Sequence, residues 1–172
     1  MYGIYCPHFI KEGKIHPMEN MDIQDRRLLN ILQRDGKIST QNLAEQASMS
    51  ASPCWRRVQK LEKSGHIEGY VALLNPNKLG LNARAYIHVS LLEHTEDSIR
   101  AFDNFVQNEA QIIECCSITG ADDYLLKVVA KDPEGLEQFI MKKILRQGIV
   151  RSSTTHFVLR QNKYSTALPL DI

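Results

Sequence analysis

An α+β fold in two domains is what this 172-residue sequence predicts, and three observations predict it. Three short amphipathic segments, each preceded by a helix-capping residue, follow one another between Met21 and Gly65. After residue 80 the apolar residues change from a helical period to a strand alternation. From there the elements run strand, helix, strand, strand, helix, strand. The first pattern predicts an N-terminal winged helix-turn-helix. The others predict a C-terminal ferredoxin-like βαββαβ domain, an antiparallel sheet with both helices on one face.

Asp22 can cap a first helix in which Leu28, Leu29, Ile31 and Leu32 share a face, and Asp35-Gly36 ends it. Ser39 can cap a second helix with Leu43, Ala44 and Ala47 inward. Met49-Ser50-Ala51 reads as a turn, with Ser52 as cap and Pro53 in the first helical position of a third helix. That helix stops at Gly65 and holds Cys54, Val58 and Leu61 on its inner side. Residues 67–73 read as a wing, a short strand pair or a strand turning at Gly69. The turn-rich Asn75 to Gly80 stretch marks a hinge, placed at residues 75–81 between domains at 21–74 and 82–172.

In the second domain Ala83, Ala85, Ile87, Val89 and Leu91 alternate as a strand. Ile99, Phe102 and Val106 recur as a helix over 95–108, and residues 112–119 and 124–131 form strands joined through Gly120-Ala121-Asp122. Asp132-Pro133 opens a second helix with Leu136, Phe139, Ile140 and Ile144 inward. Residues 150–159 form a fourth strand, and Tyr164 to Leu168 a short fifth. Ala85, Ile87, Val89, Cys115, Leu126 and Val128 make the sheet too apolar for both faces to stay wet, so it is expected to pair with a second copy.

The composition, 43% hydrophobic and 24% charged, is that of a soluble globular protein. No apolar run approaches the roughly 20 residues of a membrane span. Four cysteines, two of them adjacent, make no disulfide framework, and residues 1–20 have no secretion-signal pattern, so a cytoplasmic protein is expected. Those 20 residues read as a disordered extension or a remnant of an upstream start. Cys6, His8 and His16 lack a second pair at finger spacing, and an accidental tail composition is the better reading than a metal site. Net charge is only +1, which by itself argues against nucleic-acid binding. It conceals an asymmetry: residues 21–80 hold 9 basic and 6 acidic side chains, and residues 81–172 hold 10 and 12.

A helix lying in the major groove reads bases with residues near its N-terminus, so Ser50, Ser52, Arg56 and Arg57 are candidates for base edges. Ser39, Thr40, Gln41 and Lys60 are candidates for phosphates. Trp55 is expected to pack against the first helix. No catalytic set is visible: Cys54 sits on a core face, Cys115 and Cys116 point to opposite faces, and the histidines lack paired acids. At the Gly120 hairpin tip, two adjacent aspartates are ordinarily turn formers. Exposed N–H groups there can also hold a carboxylate, and Asp123 an ammonium.

Taken together, Asp22-x-x-Asp25-x-x-Leu28-Leu29-x-x-Leu32-Gln33, Leu43-Ala44, Met49-Ser50, Arg57-Val58-x-x-Leu61-Glu62-x-x-Gly65-x-Ile67, Leu79-Gly80 and Thr119-Gly120-x-x-Asp123-Tyr124-Leu125-Leu126 resemble the Lrp/AsnC (feast/famine) transcriptional regulators. The likeness spans residues 21 to about 169. The Pro53-Cys54-Trp55-Arg56-Arg57 stretch and the Lys163 to Pro169 tail look like a bacterial branch with cysteine-responsive and branched-chain-responsive members. The resemblance implies a sequence-specific regulator of amino-acid metabolism, with a RAM-type second domain that dimerises through its sheet. It implies assembly to higher oligomers, often octamers, and an amino-acid effector between subunits, with no other cofactor. Effector contacts carried over are Thr119, Gly120, Ala121, Asp122, Asp123 and Tyr124, with Thr154 and Thr155 as weaker candidates. Asp122 stands where many members have an aromatic. Two other readings compete: an enzymatic or small-molecule-binding domain with a recruiting helical half, and an architectural DNA-compacting protein without an effector.

Overall fold

The Asp22 carboxylate accepts the Asp25 backbone N–H and starts helix α1, Ile23–Leu32. Ser39 does the same for Asn42 at the head of α2, Thr40–Gln46. In the computed structural model, which describes residues 21–170, these helices and α3, Ala51–Lys63, close over Leu28, Leu43, Ala44, Ala47, Cys54 and Leu61, all buried. Residues 1–20, with the tail and metal readings placed on Cys6, His8 and His16, lie outside the described residues.

Two details of this unit differ from expectation. Ser50 rather than Ser52 is the N-cap of α3, and its side chain makes no capping bond. Pro53 is therefore the third residue of the helix, where its missing N–H is still one that no intrahelical carbonyl would reach. The expected wing is not formed either: residues 67–75 run without strand pairing. Tyr70, Val71, Leu73 and Leu74 are all exposed, so no buried face is present to fix a strand register.

The four-residue turn between α2 and α3 depends on Ser48, whose φ of 56° is the one left-handed non-glycine conformation among the described residues. A side chain there costs energy that glycine avoids. Ser48→Gly is expected to raise stability by about 0.5–1 kcal/mol, measured as a higher urea midpoint. An unchanged or lower midpoint would mean that the hydroxyl offsets the strain.

The described chain divides into two compact units, one reaching Ala72 and resuming at Ser165, the other spanning Leu73–Tyr164. Residues 165 onward thus group with the helices rather than forming a fifth strand. The Gln33 side-chain amide donates to the Leu168 carbonyl (3.0 Å) and accepts its N–H (2.8 Å), and Arg26 donates to the Leu170 carbonyl at 3.2 Å. A side-chain amide that satisfies both polar groups of one residue replaces the strand ladder the sequence pattern anticipated.

The second unit orders strands β1 (Ala83–Leu91), β2 (Ile112–Ser117), β3 (Tyr124–Ala130) and β4 (Val150–Phe157) as β2-β3-β1-β4, every neighbouring pair antiparallel. Thr95 caps α4, Glu96–Asn108, and Asp132 caps α5, Pro133–Phe139, which continues into a π-helical turn over Ile140–Ile144. Ala85, Ile87, Val89, Leu126 and Val128 pack with Phe102, Phe105, Leu136 and Phe139 in one core, and Cys115 sits half-buried against it. These strand residues, on which sheet pairing was argued from sequence, therefore face the helices of their own chain. Alternation identifies which residues share a face but not which face is covered. The opposite face presents Tyr86, His88, Leu125, Lys127, Thr154 and His156, neighbours by register across β1, β3 and β4.

Candidate nucleic-acid interface and effector loop

Successive residues of an α-helix step about 100° around its axis. With Cys54 and Leu61 buried, the rotation of α3 is fixed, and Ser52, Arg56, Lys60 and Lys63 emerge on its exposed side. Ser50, with its unused hydroxyl, stands at the N-terminus of the same helix. Ser39, Thr40 and Gln41 are exposed at the start of α2, with the Ser39 hydroxyl engaged by Asn42.

Arg57 belongs elsewhere. One step on from Arg56, it turns back to α1, where its Nη1 lies 2.6 Å from Asp25 Oδ1 and 2.7 Å from Asp22 Oδ2. The Asp25 carboxylate is buried, at 5% exposure, and Arg57 supplies its charge partner. Hydrogen bonds to Asp25 and then Asp22 push the Arg57 pKa up. Asp22 is held below its ordinary 3.8, chiefly by the Asp25 N–H and further by Arg57. This arginine is a clasp between helices and does not share the exposed row of Arg56. A helical-angle count would have separated it from Arg56.

Trp55 also departs from expectation: it is 55% exposed rather than packed under α1. Glu62, the acidic residue nearest this surface in sequence, is engaged locally. Its carboxylate accepts Gln59 Nε2 at 2.9 Å and the Tyr70 hydroxyl at 3.0 Å. Partial desolvation of the hydroxyl, on a side chain that stays 47% exposed, and then that bond push the Tyr70 phenol up to about 12.

In the second unit the loop between β2 and β3 is closed by the Ile118 N–H on the Asp123 carbonyl (2.9 Å) and the Asp123 N–H on the Val89 carbonyl (3.0 Å). Thr119, Gly120 and Ala121 are exposed at its tip. Gly120, at φ 127°, adopts a conformation that other residues rarely reach. Both aspartates behind the tip are engaged. Asp123 Oδ2 accepts the Leu91 N–H at 2.7 Å, and Oδ1 lies 2.7 Å from His94 Nε2. The Leu91 bond, then His94, holds the Asp123 carboxyl below its ordinary 3.8. Asp122 Oδ1 accepts the Ser90 hydroxyl at 2.8 Å, and its Oδ2 lies 3.3 Å from His88 Nδ1.

Tyr124 is buried against Phe102, ring centroids 4.5 Å apart, on the helix-covered side, and burial raises its phenol pKa. It is a core residue rather than a flank of the open loop. Thr154 pairs with His88 and Thr155 with Ile87, so the two threonines point to opposite faces of the sheet. Sequence reasoning missed Ser90, His88 and His94 as the supports of this loop. Strand alternation placed Ser90 opposite the apolar set, whereas nothing local pointed to His94.

Burial raises the pKa of Cys54 and pushes Cys115 up to about 12, leaving two poor nucleophiles. Among the described residues no group of three or more His, Cys, Asp or Glu is placed to hold a metal, and no helix is long and apolar enough to cross a membrane.

A basic helix exposed after a four-residue turn is the arrangement of a helix-turn-helix DNA-binding protein, here followed in the chain by a βαββαβ domain with an exposed glycine loop. Known proteins agree with that class. Residues 21–62 match the AsnC-type helix-turn-helix domain, and residues 84–168 match the Lrp/AsnC ligand binding domain. The leucine-responsive regulatory protein of Serratia marcescens is 35% identical over 157 residues, 91% of this chain and 96% of that protein. Its namesake in Escherichia coli K12 is 34% identical over the same shares. A transcriptional regulator from Neisseria meningitidis, solved in complex with L-Met, superimposes with a TM-score of 0.85 at 32% identity, covering 88% of this chain and 97% of that one. An AsnC family regulator from Agrobacterium tumefaciens gives 0.83 at 34%, covering 88% and 98%. The chain belongs to the Lrp/AsnC family of transcriptional regulators. These relatives are regulators rather than enzymes, which sets aside the enzymatic reading.

Proposed function

We propose that this regulator binds specific operators through α3 and adjusts that binding to the level of a small amino acid, within the control of amino-acid metabolism in the cytoplasm. The observation that carries the reading is the row Ser52, Arg56, Lys60 and Lys63 on the exposed side of a helix whose rotation Cys54 and Leu61 fix. Ser50, Ser52 and Arg56 reach base edges, whereas Lys60 and the α2 residues Ser39, Thr40 and Gln41 meet phosphates. A homodimer presents two such helices to major grooves roughly 34 Å apart, so its operators are approximate palindromes. Its pairing surface is the uncovered sheet face around Tyr86, Leu125 and Thr154, and dimers assemble further, to an octamer.

The effector seats on the exposed loop Thr119–Gly120–Ala121, whose backbone groups take the amino-acid carboxylate. Asp122 and Asp123 act mainly by holding that loop in shape, since their oxygens already have partners. The Neisseria relative with bound L-Met supports an amino acid as the ligand class. Binding regulates only through unequal affinity for two assemblies.

A thermal-shift screen of the twenty amino acids, methionine and leucine included, tests the effector half. A rise with one or a few is expected, and no rise with any favours an architectural protein. Gel-shift titration tests the DNA half. Arg56→Ala is expected to weaken binding about tenfold and to relax preference at one position per half-site. Unchanged affinity removes Arg56 from the interface.

A further inference from the structure

Trp55 is the only tryptophan of the chain and stands 55% exposed, although an indole is among the most rewarding side chains to bury. Its rotation on α3 is not free. Turning the ring inward would bring Cys54 and Leu61, both buried, out into water. The ring sits in a shallow depression with Arg56, Gln59, Lys60, Lys63 and Ser64. That lining has three cations and no carboxylate, and Glu62 is engaged by Gln59 and Tyr70. An apolar plane framed by positive charge, one step along the helix from Arg56, complements one partner in particular, the major groove of duplex DNA. Its walls are anionic, and the thymine C5-methyl is the apolar group displayed on its base edges.

We propose that Trp55 is a specificity residue that packs on a thymine methyl at the edge of each half-site, beside the base read by Arg56. This rests on the DNA-binding reading above. The indole has a single N–H donor and no acceptor, so it cannot answer the exocyclic amino groups of adenine or cytosine. It therefore favours thymine by contact with the methyl, while the neighbouring lysines hold phosphates without sequence preference. The phosphate contacts supply most of the affinity, and this apolar contact supplies a part that depends on the base.

The full chain and a duplex that it has itself selected from a random library provide the test, with thymines replaced one at a time by deoxyuridine, which lacks only the methyl. The wild type is expected to lose roughly three- to five-fold in affinity at one symmetry-related pair of positions, the worth of one buried methyl. Its tryptophan emission should change in intensity and position as the duplex saturates. Trp55→Ala, whose fold is checked by circular dichroism, should bind thymine and deoxyuridine duplexes equally, and Trp55→Phe should retain part of the discrimination. Equal deoxyuridine losses in wild type and Trp55→Ala, or emission unmoved by saturating duplex, would overturn the inference alone. So would emission that shifts with protein concentration and not with DNA, because the ring would then be covered by a second copy. Failure of the wild type to select any duplex would overturn the DNA-binding reading as well.

Discussion

Arg57→Ala is expected to lower the stability of the helical unit by about 2–3 kcal/mol, because it strips the partner from a buried carboxylate. Asp25 is 5% exposed, and the Arg57 guanidinium bridges it to Asp22 at 2.6 and 2.7 Å. A fully dry pair would cost more to break, but the Arg57 side chain is itself a third exposed, and water partly screens what remains. Urea unfolding followed by Trp55 fluorescence reads the helical unit directly. Arg57→Lys should recover only part of the loss, since an ammonium is more strongly hydrated than a guanidinium and is harder to desolvate beside the buried Asp25. The same variants separate clasp from contact. Where Arg57→Ala is still folded, its DNA affinity should keep the wild-type salt slope, whereas removing a phosphate-bound cation lowers that slope by about one. The cap at Asp22, with a smaller part from the clasp, carries a pH dependence. Asp22 has its folded pKa below the ordinary 3.8, so its contribution is fully present above that value and is lost as pH falls through the lowered one. A stability flat from pH 5 to pH 2 would mean that the Asp22 charge contributes nothing to the helical unit.

What could be read from the sequence follows the range of the forces involved. The caps at Asp22 and Ser39, the helix opening at Asp132-Pro133, the core positions Leu28, Leu43, Ala44 and Cys54, and the alternation of β1 are local patterns, and they are found where they were expected. Contacts between distant residues were not legible. Arg57 meets Asp25 across 32 positions, Asp123 meets Leu91 across 32, and Gln33 meets Leu168 across 135. Each of these gives a residue a partner that local reasoning did not supply: Arg57 is clasped to α1, Asp123 holds the Leu91 N–H, and the predicted fifth strand is instead a segment held by Gln33. Tyr124 illustrates the other limit. A tyrosine at the end of a loop motif suits a site and a core equally, and only its packing on Phe102 decides. The missing wing is the reverse case, because a turn at Gly69 makes no hairpin without a second strand bearing an apolar face.

Asp123→Ala is the second large effect expected, a loss of about 2–3 kcal/mol from the second unit as the Leu91 N–H is left without its acceptor. Leu91 is wholly buried, so water cannot readily take the place of Asp123 Oδ2 at 2.7 Å. Asp123→Asn keeps an acceptor oxygen and should cost about 1 kcal/mol, the difference between a charge-assisted bond and a neutral one. The two variants together decide what the residue does for the effector. If Asp123 braces the loop, Asp123→Asn retains an amino-acid-dependent rise in melting temperature, because backbone groups at Gly120 still hold the ligand, and Asp123→Ala loses both stability and the rise. If Asp123 instead grips the ligand ammonium, Asp123→Asn abolishes the rise while leaving the ligand-free protein nearly as stable as the wild type. The pH dependence gives an independent check on the brace. The folded pKa lies below 3.8, held down first by the Leu91 N–H and then by His94. Stability from this group is therefore complete above 3.8 and disappears as pH falls through the lowered value. Asp123→Asn, which has no proton to gain there, should show a correspondingly flatter acid limb, and an acid limb identical to the wild type's would mean that the carboxylate is not what holds the loop.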